Sequence, residues 1–585
     1  MKQYKVVNLL LTSFILVLIF LSCSKSNKSI NIKLIETTDV HGYIFPYDFI
    51  NEDSLDYSIS QVSTYVKQQR LKKGQWTVLL DNGDILQGQP PVYFSNFIDT
   101  THEHICSKTM NYLKYDVATV GNHDIEAGHK VYDKVNSEFT FPWLAANAID
   151  IKSEKPYFKP YSILEKKGVK IAVLGLITPA IPNWLPEKLY RGIKFEDMVL
   201  SAKKWMKIIK ENEKPDIIVG LFHSGHNWNY GGTKDTLNNE NATVLVAKKV
   251  PGFDIVFCGH DHTKYISKIE NAAGDSVLII DPSAHSKYIG TANINLSWNN
   301  ENNKYIKTVT GEIIETKNFK PDPDFLNKFE SFNATVINFI HKEIANLNSP
   351  IDARNSLFGD NKFMDLIHRV QLEISKADIS FAAPLKINTV IDSGKLKVND
   401  MFKLYKYENM LYVMELTGKE IKDYLEYSYS LWLNKMKNQN DHILLLDKSG
   451  KKLKNPFYNF DSAEGIKYTV DLSKDVGERI RIISMTDGSK FDIQKKYKVA
   501  INSYRGNGGG GHLVDGSKIP KIQLKSRIIS STEKDLRYYM IQYLKAKKEI
   551  NPAVNNNWEI LPKKWVKNAI SSDFKLIFEK NYNNY

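Results

Sequence analysis

Between residues 30 and 320, short apolar runs rich in β-branched residues punctuate the chain, at 32–35, 78–80, 117–120, 171–177, 217–222, 255–258 and 277–280. Each has the length of a strand buried on both faces, and stretches of helical period, such as 198–209, lie between several of them. That alternation predicts an α/β domain. After the break at Pro321-Asp322-Pro323, residues Phe325, Phe329, Phe332, Val336, Phe339, Ile340, Ile344 and Leu347 recur at steps of three and four. They predict an amphipathic helix of about 25 residues, either a connector between two domains or a core helix of one of them. Beyond Ser349 the pattern is mixed α+β, with strands expected at 379–382, 411–416, 466–472, 480–484 and 497–501 and a helix near 421–429. The expected organisation is an α/β domain over 31–318, a linker helix over 319–349, an α+β domain over 350–560, and a tail at 561–585 that carries no reading.

The first 30 residues differ in kind. Lys2 and Lys5 precede an apolar run at 6–21, interrupted only by Asn8, Thr12 and Ser13, which ends in Leu21-Ser22-Cys23. The run is short for a membrane span of ~20 residues and has the flanks of a secretory signal. A small residue followed by cysteine directly after such a run resembles the cleavage site of bacterial lipoproteins. The resemblance implies removal of 1–22, lipidation of Cys23, a polar spacer at 23–30, and a periplasmic or cell-surface protein tethered to a membrane only through its lipid. An uncleaved anchor is the alternative.

Composition narrows the classes. Of 585 residues, 42% are hydrophobic and 25% charged, ordinary values that exclude a disordered, collagenous or polytopic membrane chain. The 79 basic and 66 acidic residues leave +13, or +11 once Lys2 and Lys5 are removed (13 − 2). The basic residues are scattered, so the charge suits small anions and does not specify a nucleic-acid partner. Three cysteines exclude a disulfide scaffold, and Cys258, inside an apolar run, reads as a buried thiol.

The chemistry sits where the strands end. After successive apolar runs come Asp39-Val40-His41, Gly83-Asp84, Gly121-Asn122-His123-Asp124, His223 with His226, and Gly259-His260-Asp261-His262. Ligands of open α/β sheets gather beyond the carboxyl ends of the strands, so loops spread over more than 200 residues can meet in space. Imidazoles, carboxylates and one amide oxygen form an N/O donor set suited to Zn, Mn, Fe or Co. There are too many donors for one tetrahedral ion and enough for two that share a carboxylate. Two ions about 3.5–4 Å apart lower the pKa of a bridging water and clamp an in-line phosphoryl displacement.

The ordered set Asp39-x-His41, Gly83-Asp84, Gly121-Asn122-His123, His223 and Gly259-His260-x-His262 resembles the calcineurin-type metallophosphoesterases. The resemblance implies one divalent ion on Asp39, His41, Asp84 and His262 and a second on Asp84, Asn122, His223 and His260, with Asp84 bridging. It gives His123 the general-acid or transition-state role. In the 5′-nucleotidase branch an Asp three residues later orients this histidine; here that position is Glu126. That branch also often carries Gln where this chain has His262. His226 is no family ligand and is expected in a supporting role, and Asp124 is expected to be structural.

The second half resembles the C-terminal domain of the 5′-nucleotidases, in which two aromatic rings sandwich the base. Tyr504 matches one by its place before Asn507-Gly508-Gly509-Gly510-Gly511, and Tyr407 the other, with Tyr405 a near alternative. By the same resemblance Asn507, Gly508 and Gly509 line the substrate. The 5′-nucleotidases carry Asn-Gly-Gly-Gly-x-Arg to hold a 5′-phosphate; this chain has Phe381-Ala382-Ala383-Pro384-Leu385-Lys386, and Gly510 where their late loop has Asp. Both departures, and Asn551-Pro552 followed by Asn556-Asn557-Trp558, match the 2′,3′-cyclic-nucleotide 2′-phosphodiesterase/3′-nucleotidase branch. The resemblance covers about 31–560 and implies a metallophosphoesterase α/β sandwich joined by a helix to an α+β substrate domain. The expected activity is hydrolysis of 2′,3′-cyclic mononucleotides and of 3′-nucleotides. A 5′-nucleotidase or nucleotide-sugar hydrolase on the same scaffold, and a non-catalytic surface binding lipoprotein, are the alternatives.

Overall fold

The computed structural model describes residues 29–226, 237–299 and 304–579. The segment 1–22 and Cys23 lie outside them. No helix among the described residues is long and apolar enough to cross a membrane.

The N-terminal half is a sandwich of two six-stranded sheets. The first runs in the order Lys304–Glu315, Tyr288–Asn299, Ser29–Thr37, Gln75–Asp81, Val117–Thr119, Trp143–Leu144. The second runs Lys264–Glu270, Ser276–Pro282, Ile255–Cys258, Ile217–His223, Val169–Ile177, Tyr161–Lys166. The central strands of both sheets are parallel, so their carboxyl ends lie along one edge. Ile32, Leu34, Val78 and Leu80 of the first sheet interdigitate with Ile171, Val173, Val219, Phe257 and Ile280 of the second. Helices such as Met198–Asn212 and Thr243–Lys249 cover the outer face of the second sheet through Met206, Ile209 and Val246. Burial on both faces explains why these strands read as continuous apolar runs instead of alternating ones.

The linker helix spans Pro323–Ile340, 18 residues instead of about 25. Asp322 caps it by accepting from the Asp324 amide, and the same carboxylate takes Ser63 Oγ and the Lys67 ammonium from the first domain. Its aromatic face also packs on that domain, Phe325 against Tyr112 and Phe339 against Phe94. After His341 the chain turns into a strand, Glu343–Leu347, between Gly394–Lys397 and Glu549–Ile550. Ile344 and Leu347 are both buried there although three residues apart, because the register shifts between Glu343 and Ala345. A bulge restores an odd-spaced pair to one face, and thereby imitates helical period.

In the C-terminal half a five-stranded sheet runs Ser462–Glu464, Ile379–Ala382, Lys496–Asn502, Leu411–Thr417, Ile528–Ser531. Helices Lys362–Ser375 and Gly418–Trp432 pack on it, the latter opened by a capping box between Thr417 and Glu420. Of the tail, residues 561–579 are described and carry a structure that their sequence did not suggest. Helix Lys563–Phe574 closes onto the domain by its buried Asp573, which accepts the amides of Ile443 and Leu444 and pairs with His442. Cys106 and Cys258 are both free and buried.

Candidate metal centre

The parallel strands deliver five polar loops to one point. Asp39 Oδ1, His41 Nε2 and His262 Nε2 form one donor group: His262 Nε2 lies 3.2 Å from Asp39 Oδ1 and 3.1 Å from His41 Nε2. Asp84, His223 and His260 form the second, with Asn122 Oδ1 3.1 Å from His223 Nε2 and 2.8 Å from His260 Nδ1. Asp84 Oδ2 touches both groups, 3.9 Å from His41 Nε2 and 3.2 Å from His223 Nε2.

Five of the seven donors, His41, His223, His260, Asp39 and Asp84, are aimed by a bond on the far side. His41 Nδ1 is held by the Gln87 carbonyl at 3.1 Å and His223 Nδ1 by the Asn82 carbonyl at 2.6 Å, which leaves each Nε2 as the lone pair. His260 is turned the other way: Glu240 takes its Nε2 at 3.2 Å and Nδ1 faces the centre. Asp39 Oδ2 accepts from Thr38 Oγ1 and the His260 amide, and Asp84 Oδ1 from the His123 amide, so each carboxylate turns its other oxygen inward. Such outer bonds fix tautomer and ring plane in metal sites.

The backbone is strained to reach this geometry. Asp39, His41, Asp84, His260 and His262 all have positive φ, between 47° and 78°. Side chains in the left-handed region are uncommon and concentrate at functional sites. The motif glycines have a different reason. A Cβ on Gly121 would collide with Asp84, and one on Gly259 would lie 2.5 Å from Asp39 Oδ2. Asp124 is a scaffold residue, accepting the amides of Asp84, Ile85, Leu86 and Gly121.

His123 stands over the centre, its ring 5.4 Å from that of His41 and its Nδ1 hydrogen-bonded to Glu126. Burial opposes its charge, but the Asp84 and Glu126 carboxylates outweigh burial and push it up to about 10. Behind Glu126 the second domain places Glu408, buried and paired with Arg537 at 2.9 Å; burial and the charge on Glu126 push Glu408 up to about 7 despite that arginine.

The two domains meet beside this centre. Tyr504 follows strand Lys496–Asn502, and its ring lies flat against Gly509, where a Cβ would sit 2.6 Å from the ring carbons. Gly508, Gly510 and Gly511 are needed for positive φ, whereas Gly509 is needed for that contact. Burial raises the Tyr504 phenol, with smaller contributions from Glu240 and Tyr407, so the ring is within electrostatic reach of the carboxylate that orients His260. Tyr407 is half-buried, with the Lys406 ammonium 5.2 Å from its ring centroid. Tyr405 is only 2% exposed and is a core residue. Asn507 spends its amide on the Trp184 carbonyl at 3.0 Å, and the Trp184 ring stacks on His260. Gly509→Ala should therefore displace the Tyr504 ring.

Four residues of the site escaped sequence reasoning. Glu240, Trp184 and Glu408 belong to no motif in it. His285 was within reach: it follows strand Ser276–Pro282 as the other loops follow theirs, and its ring lies 5.6 Å from His262 and 5.8 Å from His41.

Paired donor groups at the carboxyl ends of a two-sheet sandwich, roofed by a second domain, define a metallophosphoesterase. Residues 32–264 match the calcineurin-like phosphoesterase family and residues 340–515 the 5′-nucleotidase C-terminal domain, so the chain carries the two domains in that order. Calcineurin-like phosphoesterases work with divalent ions, and the N/O donors and the buried, unpaired Asp39 Oδ1 fit such ions. Among similar proteins, the 2′,3′-cyclic-nucleotide 2′-phosphodiesterase/3′-nucleotidase of Haemophilus influenzae is 24% identical over 92% of this chain and 89% of its own length. The trifunctional nucleotide phosphoesterase protein YfkN of Bacillus subtilis is 24% identical over 91% of this chain, which spans only 39% of YfkN. A putative 5′-nucleotidase from Staphylococcus aureus shares the fold, with a TM-score of 0.73 at 21% identity over 91% of this chain and 99% of that one.

Proposed function

We propose that the chain hydrolyses 2′,3′-cyclic nucleotides to 3′-nucleotides, and 3′-nucleotides to nucleoside and phosphate. The observation that carries the phosphoesterase reading is Asp84 Oδ2, shared between two donor groups. Asp39, His41, Asp84, Asn122, His223, His260 and His262 would hold two divalent ions of the Zn, Mn, Co or Fe type, which would supply positive charge for phosphate oxygens and lower the pKa of a water.

The remaining work falls to side chains. Glu126 occupies His123 Nδ1, which directs a proton on Nε2 toward the leaving 2′ or 3′ oxygen. Tyr407 and Tyr504 stack the base, a mode that tolerates any base because each has a π face. Asn507, Gly508 and Gly509 hold Tyr504 in place and tie its loop to the first domain. Lys386 stands where 5′-nucleotidases carry the arginine for a 5′-phosphate; its ammonium lies 3.4 Å from Asn51 of the first domain. That difference, together with the names of relatives matched over nearly the whole chain, favours cyclic and 3′ substrates over 5′ ones. The 5′-nucleotidase of Vibrio cholerae, 26% identical over 68% of this chain, keeps the alternative in play.

Purified protein should hydrolyse 2′,3′-cyclic AMP and 3′-AMP at least tenfold faster than 5′-AMP. The reverse order would establish the 5′-nucleotidase reading, and no hydrolysis of any together with fewer than two bound metal ions per chain would favour a non-catalytic binding protein. We further propose an envelope location with a lipid on Cys23. Cys23→Ala should move the protein from the membrane to the soluble fraction, and continued membrane association would refute the anchor.

A further inference from the structure

A third group of donors lies outside the catalytic seven. His226, three residues past His223, meets Asp261, which sits between His260 and His262, and Asp281 at the end of strand Ser276–Pro282. One ligand atom of each lies within 4.8 Å of the others, the relation that also unites the two catalytic groups. The geometry points to a third divalent-cation site formed by His226 Nδ1, Asp261 Oδ2 and Asp281 Oδ2, which braces the loops carrying the catalytic ligands.

The alignment of the atoms is the first argument. At the catalytic centre His262 Nε2 lies 3.2 Å from Asp39 Oδ1, yet that oxygen has no hydrogen-bond partner, because the two atoms aim at a common point and not at each other. His226 shows the same signature. Its Nδ1 lies 2.8 Å from Asp261 Oδ2 and 3.9 Å from Asp281 Oδ2, and in neither direction is it aligned as a hydrogen bond. The residue is only 7% exposed, so the nitrogen is turned away from bulk solvent. Donors about 2.1 Å from one ion stand roughly 2.8–4.2 Å apart for angles above about 80°, which accommodates both separations.

The far sides of all three groups are already engaged. Asp261 Oδ1 accepts the Thr263 amide at 3.0 Å and Asp281 Oδ1 the Ser283 amide at 2.9 Å. Tyr265 stacks on the His226 imidazole at 4.1 Å and 13°, which sets the plane of the ring. Asp261 Oδ2 also accepts the His226 amide at 3.1 Å.

Charge is the second argument. Asp281 is fully buried, and so is Glu36, whose two carboxylate oxygens both lack hydrogen-bond partners. The ion pairs described for Asp261 and Asp281 are with His226 alone. Buried carboxylates without a counter-charge are costly. A cation on one imidazole and two carboxylates relieves that cost, and the donor set is of the Zn, Mn, Fe or Co type. The competing arrangement is a proton shared between Asp261 and Asp281.

Full-length protein crystallised with Mn²⁺ or Zn²⁺ and measured across the metal edge decides between them. We expect three anomalous peaks, the third within about 2.3 Å of His226 Nδ1, Asp261 Oδ2 and Asp281 Oδ2. Metal analysis of the dialysed protein should give three ions per chain, falling to two in His226→Ala and in Asp281→Asn. Two peaks confined to the catalytic donors would overturn the third site while leaving the phosphoesterase reading intact. If either variant fails to fold, the map of the parent protein still decides.

Discussion

Asp84→Asn should abolish turnover, by at least about 10³-fold, and lower the metal content by one ion or more. Asp84 Oδ2 lies near a histidine of each group, so neutralising it should weaken two sites at once. Charge stabilisation by metal ions is worth several kcal/mol, and each 1.36 kcal/mol is a factor of ten in rate. The substitution keeps the shape of the side chain, and its Oδ1 can still accept the His123 amide, so the loop should stay folded. Metal analysis with a cyclic-nucleotide assay reads both effects. Full metal content with near-parent activity would show that the two donor groups do not act as a pair.

His123→Ala is expected to separate chemistry from binding. The ring bonds to Glu126 and lies beside the centre without belonging to either donor group. Its loss should cut kcat by roughly 10²–10⁴-fold, the usual contribution of a positioned acid, while metal content and KM stay close to parent values. A substrate with a good leaving group should recover most of the rate, since it needs no proton. Glu126→Gln tests how the proton is held. Without metal, the Asp84 and Glu126 carboxylates together overcome burial and push His123 up to about 10. Removing the Glu126 charge should shift that titration down toward the ordinary histidine range, followed by NMR of the ring protons. An unmoved titration would mean that Glu126 is not the partner that matters. Glu126→Asp, with the shorter arm of the 5′-nucleotidases, should retain more activity than Glu126→Gln.

Strand positions in the first domain were legible because burial on both faces writes itself as continuous apolar runs. The metal loops were legible because each motif directly follows such a run. The linker helix was overread by one segment: Ile344 and Leu347 keep helical spacing but sit on a bulged strand, and only pairing with Gly394–Lys397 reveals it. The final helix was not readable, since its anchor, Asp573 on the amides of Ile443 and Leu444, lies 130 residues from its partners. Spacing placed Tyr407 first with Tyr405 a near alternative, and burial separates the two: Tyr405 is a core residue and Tyr407 is half-buried.

Residue type settles which atoms can bind an ion, and the strand periods settle that those residues stand at strand ends. The tertiary structure decided everything that depends on direction. It turned His260 by Nδ1 and His41 and His223 by Nε2, through bonds to Glu240, Gln87 and Asn82. It set Tyr504 on Gly509 and brought Glu408 and Arg537 behind Glu126. It also turned His226 toward Asp261 and Asp281. A periodic pattern records which face of an element is buried, but the orientation of a ring depends on partners that only the folded chain brings together.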